Sequence, residues 1–384
     1  MTEYAFSGPR PDISKFVGFD HVHFWCSNAK QAASYYSVRY GMEPVAYAGL
    51  ETGSRDVSTW VVKQNKIVLA FSSPLNPVES EMATELAKCG DFVRDVAFEV
   101  EDCVGLYTKA IERGAVSVSE PKVLKDDKHE GTVTVATVKS YGNTQHTFVQ
   151  RSGFTGPFLP GFKTIAAGSD PVLKLLPDTK LDFIDHVVGN QGDLEMEPAV
   201  AWYEKVLSFH RFWSVDDSQV STEFSALRSI VVTDYDEKVK MPINEPAKGL
   251  RKSQVQEFVE YHGGAGVQHI ALNTDCILTS IPALRARGVD FLTVPKKYYD
   301  NLRVRLSKSP VQVAEDLDEI ERLGILVDFD DKGYLLQLFS KPVEDRPTLF
   351  FEIIQRRNLS GFGAGNFKAL FESIEREQDA RGNL

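Results

Sequence analysis

GVQHIALNTD, residues 266–275, sets one imidazole in an otherwise apolar stretch, and its reading decides the fold. Val267, Ile270, Ala271 and Leu272 suit a short buried strand bounded by glycine and polar residues. His269 does not. A lone histidine in such a strand is more often a satisfied core residue than a ligand. The segment FVRDVAFEV, residues 92–100, repeats the strand but has Asp95 where His269 stands. The strand pattern therefore does not demand histidine.

The repeat runs well beyond this strand. FDHVHFWCSNAKQAASYYSVRYGMEPV (19–45) matches FIDHVVGNQGDLEMEPAVAWYEKVLSFHRFW (183–213). Each is a strand holding Asp-His, a polar turn, a helix with an aromatic pair (Tyr35 and Tyr36; Trp202 and Tyr203), and a second strand. GDFVRDVAFEVEDCVGLYTKAIERGAVSVSEP (90–121) matches GAGVQHIALNTDCILTSIPALRARGVDFLTVP (264–295) as strand, polar cap, helix, Arg-Gly stop, strand and proline. TQHTFVQR (144–151) matches LFFEIIQR (349–356). Each half thus reads as about two β-α-β-β units, an α+β arrangement in which a curved sheet carries helices on one face and leaves the other concave. The expected domains are 1–152 and 178–384. Between them, GFTGPFLPGFKTIAAGSDPVLKLLP (153–177) is rich in glycine and proline and lacks a period, as a linker does.

Overlaying the halves sets His21 against His186, Asp95 against His269 and Thr147 against Glu352. The second half presents His, His, Glu; the first presents His, Asp, Thr. Two imidazoles and one carboxylate hold a divalent ion without saturating it, which is the ligand set of non-haem Fe(II) oxygenases. The spacings are 83 residues from His186 to His269 and 83 from His269 to Glu352, so only folding of the whole second half can assemble the site. Glu352 lies within LFFEIIQ, where a carboxylate needs a partner or a metal. Thr147 cannot replace a carboxylate, so the first-half trio reads as a relic or a structural set. His23, His129, His146, His210 and His262 read as structural or surface residues.

The chain has 384 residues, a length for which two cores are natural, with 42% hydrophobic and 25% charged residues. A net charge of -11 argues against nucleic acid or anionic membrane as the main partner. Four cysteines without a CxxC pair suggest a reducing compartment. No secretory leader and no long apolar run are seen, so a cytoplasmic protein without membrane insertion is expected.

At the level of whole motifs the chain resembles the family of animal-type 4-hydroxyphenylpyruvate dioxygenases, in the vicinal oxygen chelate superfamily. The resemblance rests on FIDHVVGNQ, FHRFWSVDD, RSIVV, MPINEP, KSQVQEFVEYHGGAGVQHIAL, LGILVDFDDKGYLLQLFSKP, DRPTLFFEIIQR and GFGAGNFKALFESIEREQDARGNL, and in the first half on NAKQAASYY, GLETGSR and DVAFEVEDC. It covers nearly the whole chain. It implies two tandem domains of paired βαβββ modules, each an open curved barrel, the first without a metal site. It implies one Fe(II) per chain on His186, His269 and Glu352. It implies substrate contacts at Ser229, Asn244, Gln254, Gln268, Gln337, Phe339, Phe350, Phe362, Asn366 and Phe367, with Gln268 and Gln337 orienting the substrate. Gln337 also stands out without the resemblance, because an unpaired amide in YLLQLF would be costly. Phe367, Leu370, Phe371 and Ile374 share one helical face, so a helix at about 365–380 is expected to fold over the open end of the second barrel. The turn GFGAGNF lacks the Gly-Lys-Ser/Thr ending of a phosphate loop.

The implied reaction converts 4-hydroxyphenylpyruvate and O2 to homogentisate and CO2, a step of tyrosine catabolism, in a homodimer assembled through the first half. Three alternatives stay open on the same scaffold: hydroxymandelate synthesis from the same substrate, extradiol ring cleavage, and a non-catalytic ligand-binding module.

Overall fold

Alternating apolar strands followed by capped helices fold into four βαβββ modules. The computed structural model describes residues 2–3, 8–215, 226–247, 249 and 251–383. The first module runs from strand Phe16–Trp25 through helix Ala29–Tyr40 to strands Glu43–Ala48, Val57–Gln64 and Ile67–Pro74. The second comprises Phe92–Val100, helix Cys103–Glu112, Ser117–Leu124, Thr132–Lys139 and Gln145–Ser152. The third comprises Leu181–Asn190, helix Met196–Leu207, His210–Val215, Ala226–Thr233 and Lys240–Ala247. The fourth comprises Gly266–Thr274, helix Ile277–Ala286, Leu326–Phe329, Tyr334–Phe339 and Phe350–Arg357. Local chemistry sets the helix ends: Asn28 and Asp102 accept from the backbone N–H of Gln31 and Gly105, and Gly288 takes a left-handed φ of 84° just past helix Ile277–Ala286.

In each half the leading strands of the two modules pair antiparallel at the centre of one curled, nine-stranded sheet. The ninth strand comes from outside the modules. Lys163–Thr164, within the expected linker, pairs with Glu43–Ala48. Thr2–Glu3, at the start of the first half, pairs with His210–Val215 in the second sheet. The 153–177 segment is therefore built into the first half. Phe158 packs with Ala46, Val61 and Ala70, and Phe154 and Leu159 pack beside Ala97, Val133 and Val149.

One expected strand is absent. Residues 289–295, read as a strand after the Arg-Gly stop, form only a single bridge between Phe291 and Ser340. Pro295 has no N–H to give a ladder and instead stands at the N-terminus of helix Lys296–Leu306. A further helix, Leu317–Leu323, follows before the sheet resumes at Leu326. The terminal helix forms where expected, as Phe367–Ala380. Leu370 packs with Leu292, Leu326, Phe339 and Phe350, and Phe371 with Trp213, Leu227 and Phe362, which caps the second barrel. No helix of the described residues is long and apolar enough to cross a membrane.

Aromatic contacts join the halves. Tyr40 meets Phe351 at 4.8 Å between ring centroids, and Phe16 meets Phe209 at 5.1 Å. Phe351 faces this shared core, so its neighbour Glu352 faces the concave side of the sheet. At the same junction His146 is fully buried, with Nε2 2.8 Å from the Tyr203 hydroxyl. Burial pushes its pKa from 6.5 down to about 4, and does the same to His262. Both imidazoles are neutral in the fold. A depressed folded pKa gives stability that is full above the unfolded pKa and lost as pH falls through the folded one. The thermal midpoint should therefore decline as pH drops from 6.5 towards 4. The decline should be shallower in His146→Gln, by up to one proton. Calorimetry across that range checks this; an identical slope in the variant would contradict it.

Candidate metal centre

Strand register brings three ligating groups to one point. His186 lies midway along Leu181–Asn190 opposite Ala271, and Ala271 pairs in turn with Glu352 on the parallel neighbour. His269 sits two residues before Ala271, on the same face. Nε2 of His186 and Nε2 of His269 lie 3.2 and 3.4 Å from the same oxygen of Glu352. The three ligating atoms all fall within 4.8 Å of one another, and all three residues are buried. Among the described residues, this is the one cluster of His, Cys, Asp and Glu whose geometry could hold a metal.

The far nitrogen of each ring is committed. His186 Nδ1–H donates to Asp185 Oδ1 at 2.7 Å, and His269 Nδ1–H donates to Gln268 Oε1 at 2.9 Å. Each Nε2 then carries a lone pair aimed at a carboxylate oxygen. Such an arrangement calls for positive charge between the groups, and a divalent cation supplies it. Adjacent ligands of an octahedral ion with ~2.1 Å bonds lie ~3.0 Å apart, close to the separations seen. The donor set fits a metal that keeps open positions, and a metal cofactor agrees with the residues present.

The surrounding charges act on the three groups unequally. Burial works against the Glu352 carboxylate, but His186, by charge and hydrogen bond, and His269 outweigh it and hold the pKa at about 2. Burial also disfavours charge on His186, yet Glu352 and Asp185 together raise its pKa, so a cation that binds there takes the place of a proton on Nε2. His269 has a neutral amide where His186 has a carboxylate, and burial lowers it. Arg356 donates from Nε and Nη2 to both oxygens of Asp185 at 2.8 Å, which keeps that carboxyl ionised against its burial. The Phe362 ring stands edge-on to His186 at 5.1 Å and lies under the Arg356 guanidinium.

The triad faces a partly open cavity. Of the expected contact residues, Ser229, Asn244, Gln337, Phe339 and Phe362 line it. Gln254, Gln268 and Phe350 line a neighbouring cavity. Gln268, expected to face the substrate, holds His269 with its Oε1 and donates from Nε2 to Gln254 Oε1 at 2.9 Å. Gln268 is the extra residue of a β-bulge, since Val188 pairs with His269 and the next residue, Gly189, with Val267, and the broken alternation lets its side chain reach the His269 ring. Asn366 is fully buried behind Gln337, with Nδ2 3.4 Å from Gln337 Oε1. The Phe367 side chain lies outside the described residues. Val188, Trp213, Val231 and Pro242 also line the cavity. Three of these were findable by period two, at i+2 from His186, i+2 from Ser229 and i−2 from Asn244. The Asp185–Arg356 pair was marked by the Asp-His and Gln-Arg dipeptides that recur in both halves.

The first half keeps the frame and loses the site. Arg151 binds Asp20, and Asp20 accepts from His21 Nδ1, as their counterparts do. Asp95, however, accepts from both the Thr147 hydroxyl, at 2.5 Å, and the Thr147 N–H. Phe158 stands edge-on to His21 at 4.9 Å, in the role of Phe362.

Asp185 is thus predicted to tune the metal through His186. Asp185→Asn should lower affinity for a divalent ion about 10–100-fold with the fold retained. Competition with a chelator measures this; unchanged affinity would make the Asp185–Arg356 pair a scaffold element only.

Residues 183–338 match the family model described as the Glyoxalase/Bleomycin resistance protein/Dioxygenase superfamily. A 4-hydroxyphenylpyruvate dioxygenase of Danio rerio is 57% identical over 385 residues, covering 100% of this chain and 96% of that protein. One from Dictyostelium discoideum is 58% identical, covering 96% and 100%. Among solved structures, a mutant 4-hydroxymandelate synthase from Streptomyces coelicolor superposes with a TM-score of 0.81 at 26% identity, covering 94% of this chain and 99% of that one. With full-length identity at this level, a fourfold βαβββ fold and a buried His-His-Glu cluster, the chain belongs to the 4-hydroxyphenylpyruvate dioxygenase family of enzymes.

Proposed function

We propose that this chain converts 4-hydroxyphenylpyruvate and O2 into homogentisate and CO2, with one Fe(II) held by His186, His269 and Glu352. The observation that carries the reading is the buried triad opening onto a pocket lined by aromatic and amide side chains. Full-length relatives at 57% and 58% identity with that activity in their names support it. The hydroxymandelate synthase likeness, at 26%, favours a second reading on the same substrate far less.

When bound, Fe(II) supplies a site for the 2-oxo acid of the substrate and for O2, and the electrons that couple them. The substrate brings its own 2-oxo acid, so no separate one is consumed. One oxygen atom of O2 ends in the new carboxylate and the other in the new ring hydroxyl, while the original carboxylate leaves as CO2. The chain's own residues do the rest. Asp185 and Gln268 accept from Nδ1 of the two imidazoles and so turn Nε2 of each towards the cavity, where it would hold the metal. Phe339, Phe362 and Trp213 offer apolar walls for the aromatic ring. Ser229, Asn244 and Gln337 offer hydrogen bonds to its polar ends. Helix Phe367–Ala380, packed through Leu370 and Phe371, closes the barrel mouth and limits access of water.

A homodimer and a cytoplasmic site of action belong to the same reading. The first sheet's edge strand Ser117–Leu124, with Val118 and Val123 exposed, supports the former. The four free cysteines support the latter.

His269→Ala and Glu352→Ala should each lose turnover by more than about a thousandfold and still give a folded protein. Chromatographic product analysis of the iron-loaded proteins tests both points. The wild-type chain should yield homogentisate; hydroxymandelate instead would sink the main reading, and full activity in either variant would sink the ligand assignment.

A further inference from the structure

Gln337 offers the cavity one amide, and an amide can present either a donor or an acceptor. The structure contains a device that chooses. Tyr298, on helix Lys296–Leu306, reaches with its hydroxyl to the backbone of Val327 and to Asn366. Its oxygen accepts from Val327 N–H at 2.7 Å and lies 2.6 Å from Asn366 Oδ1 and 3.0 Å from Val327 O. A hydroxyl has one proton to give. The 2.6 Å separation is that of an O–H···O bond, shorter than N–H···O bonds ordinarily are. The proton therefore goes to Asn366, whose atom facing Tyr298 is its oxygen. Burial pushes the Tyr298 pKa up, which keeps that proton in place.

The choice propagates. With Oδ1 pinned, Asn366 turns Nδ2 towards Gln337 Oε1, at 3.4 Å. Asn366 and Gln337 are almost wholly buried, so neither amide can reorient into solvent. Gly363 makes room for this arrangement: it adopts a left-handed φ of 71°, and a Cβ there would collide with Gln337 Oε1. Gln337 is left with Nε2 as its free end.

We infer that Tyr298 is a positioning residue, which acts through Asn366 to present Gln337 to the bound substrate as a hydrogen-bond donor. This rests on the functional reading above only in naming the substrate. The ligand group it selects is an oxygen acceptor, not a donor. An amide free to flip would offer both ends and spend part of its time misoriented.

The test is a double-mutant cycle in the full-length, iron-loaded enzyme: Tyr298→Phe, Gln337→Ala and the two combined. Tyr298→Phe should lower kcat/KM for 4-hydroxyphenylpyruvate about tenfold, the value of one neutral hydrogen bond at most. It should cause no further loss in the Gln337→Ala protein. Equal losses in both backgrounds would mean general damage and overturn the relay. A second arm uses no substrate. The side-chain 15N amide signals of Gln337, assigned by their absence from Gln337→Ala, should shift or merge in Tyr298→Phe; unmoved signals overturn the inference. If the wild-type enzyme made no homogentisate, the functional reading would fail, while the amide signals would still decide the relay.

Discussion

A carboxylate in the middle of a sheet is the constraint on which the second half depends. Glu352 is 3% exposed, between Phe351 and Ile353, where an unpaired charge is costly. Its stability comes from the two imidazoles at 3.2 and 3.4 Å, and from the cation that three converging lone pairs invite. Those imidazoles must be oriented in turn. Asp185 holds one and is itself held by Arg356; Gln268 holds the other and is tied to Gln254. The shell beyond the three ligands is thus a set of polar groups, each of which satisfies the next.

The first half shows what the same scaffold does without that charge. Asp20, His21 and Arg151 repeat the outer frame, but Asp95 is held by Thr147 and Gln145. The concave side is filled by Phe154, Phe158 and Leu159 from the connecting segment. In the second half the corresponding segment after the last strand supplies Phe362, then continues into the terminal helix, and a cavity remains below. One architecture therefore serves as a filled module and as a reaction chamber. The difference lies in three side chains and in what the following segment packs.

Much of this was legible in the sequence because it rests on period and repetition. The overlay of His21 with His186, Asp95 with His269 and Thr147 with Glu352 agrees with the strand registers, in which Ala97 and Ala271 stand opposite His21 and His186. The terminal helix followed from a one-sided apolar pattern. What failed to show depends on contacts between distant parts. Residues 289–295 carry a strand-like composition, but Pro295 and two added helices redirect the chain. Gln268 sits beside a ligand at a bulge in the ladder, and no local pattern marks that its amide is spent on His269 and Gln254. The connecting segment has no period of its own because its apolar residues fill a concavity instead of forming a face. Tyr298 reaches Asn366 across 68 residues, and nothing local marks it.

The central claim is that the triad loads one Fe(II) and that this ion is required for oxygen consumption. Anaerobic reconstitution of metal-free protein with Fe(II), followed by an oxygen electrode on addition of 4-hydroxyphenylpyruvate, tests it most directly. The account predicts no uptake without iron, saturation at one Fe(II) per chain, and one O2 consumed per CO2 released. Uptake by metal-free protein, or the same iron-dependent uptake when Glu352 is replaced by alanine, would contradict it.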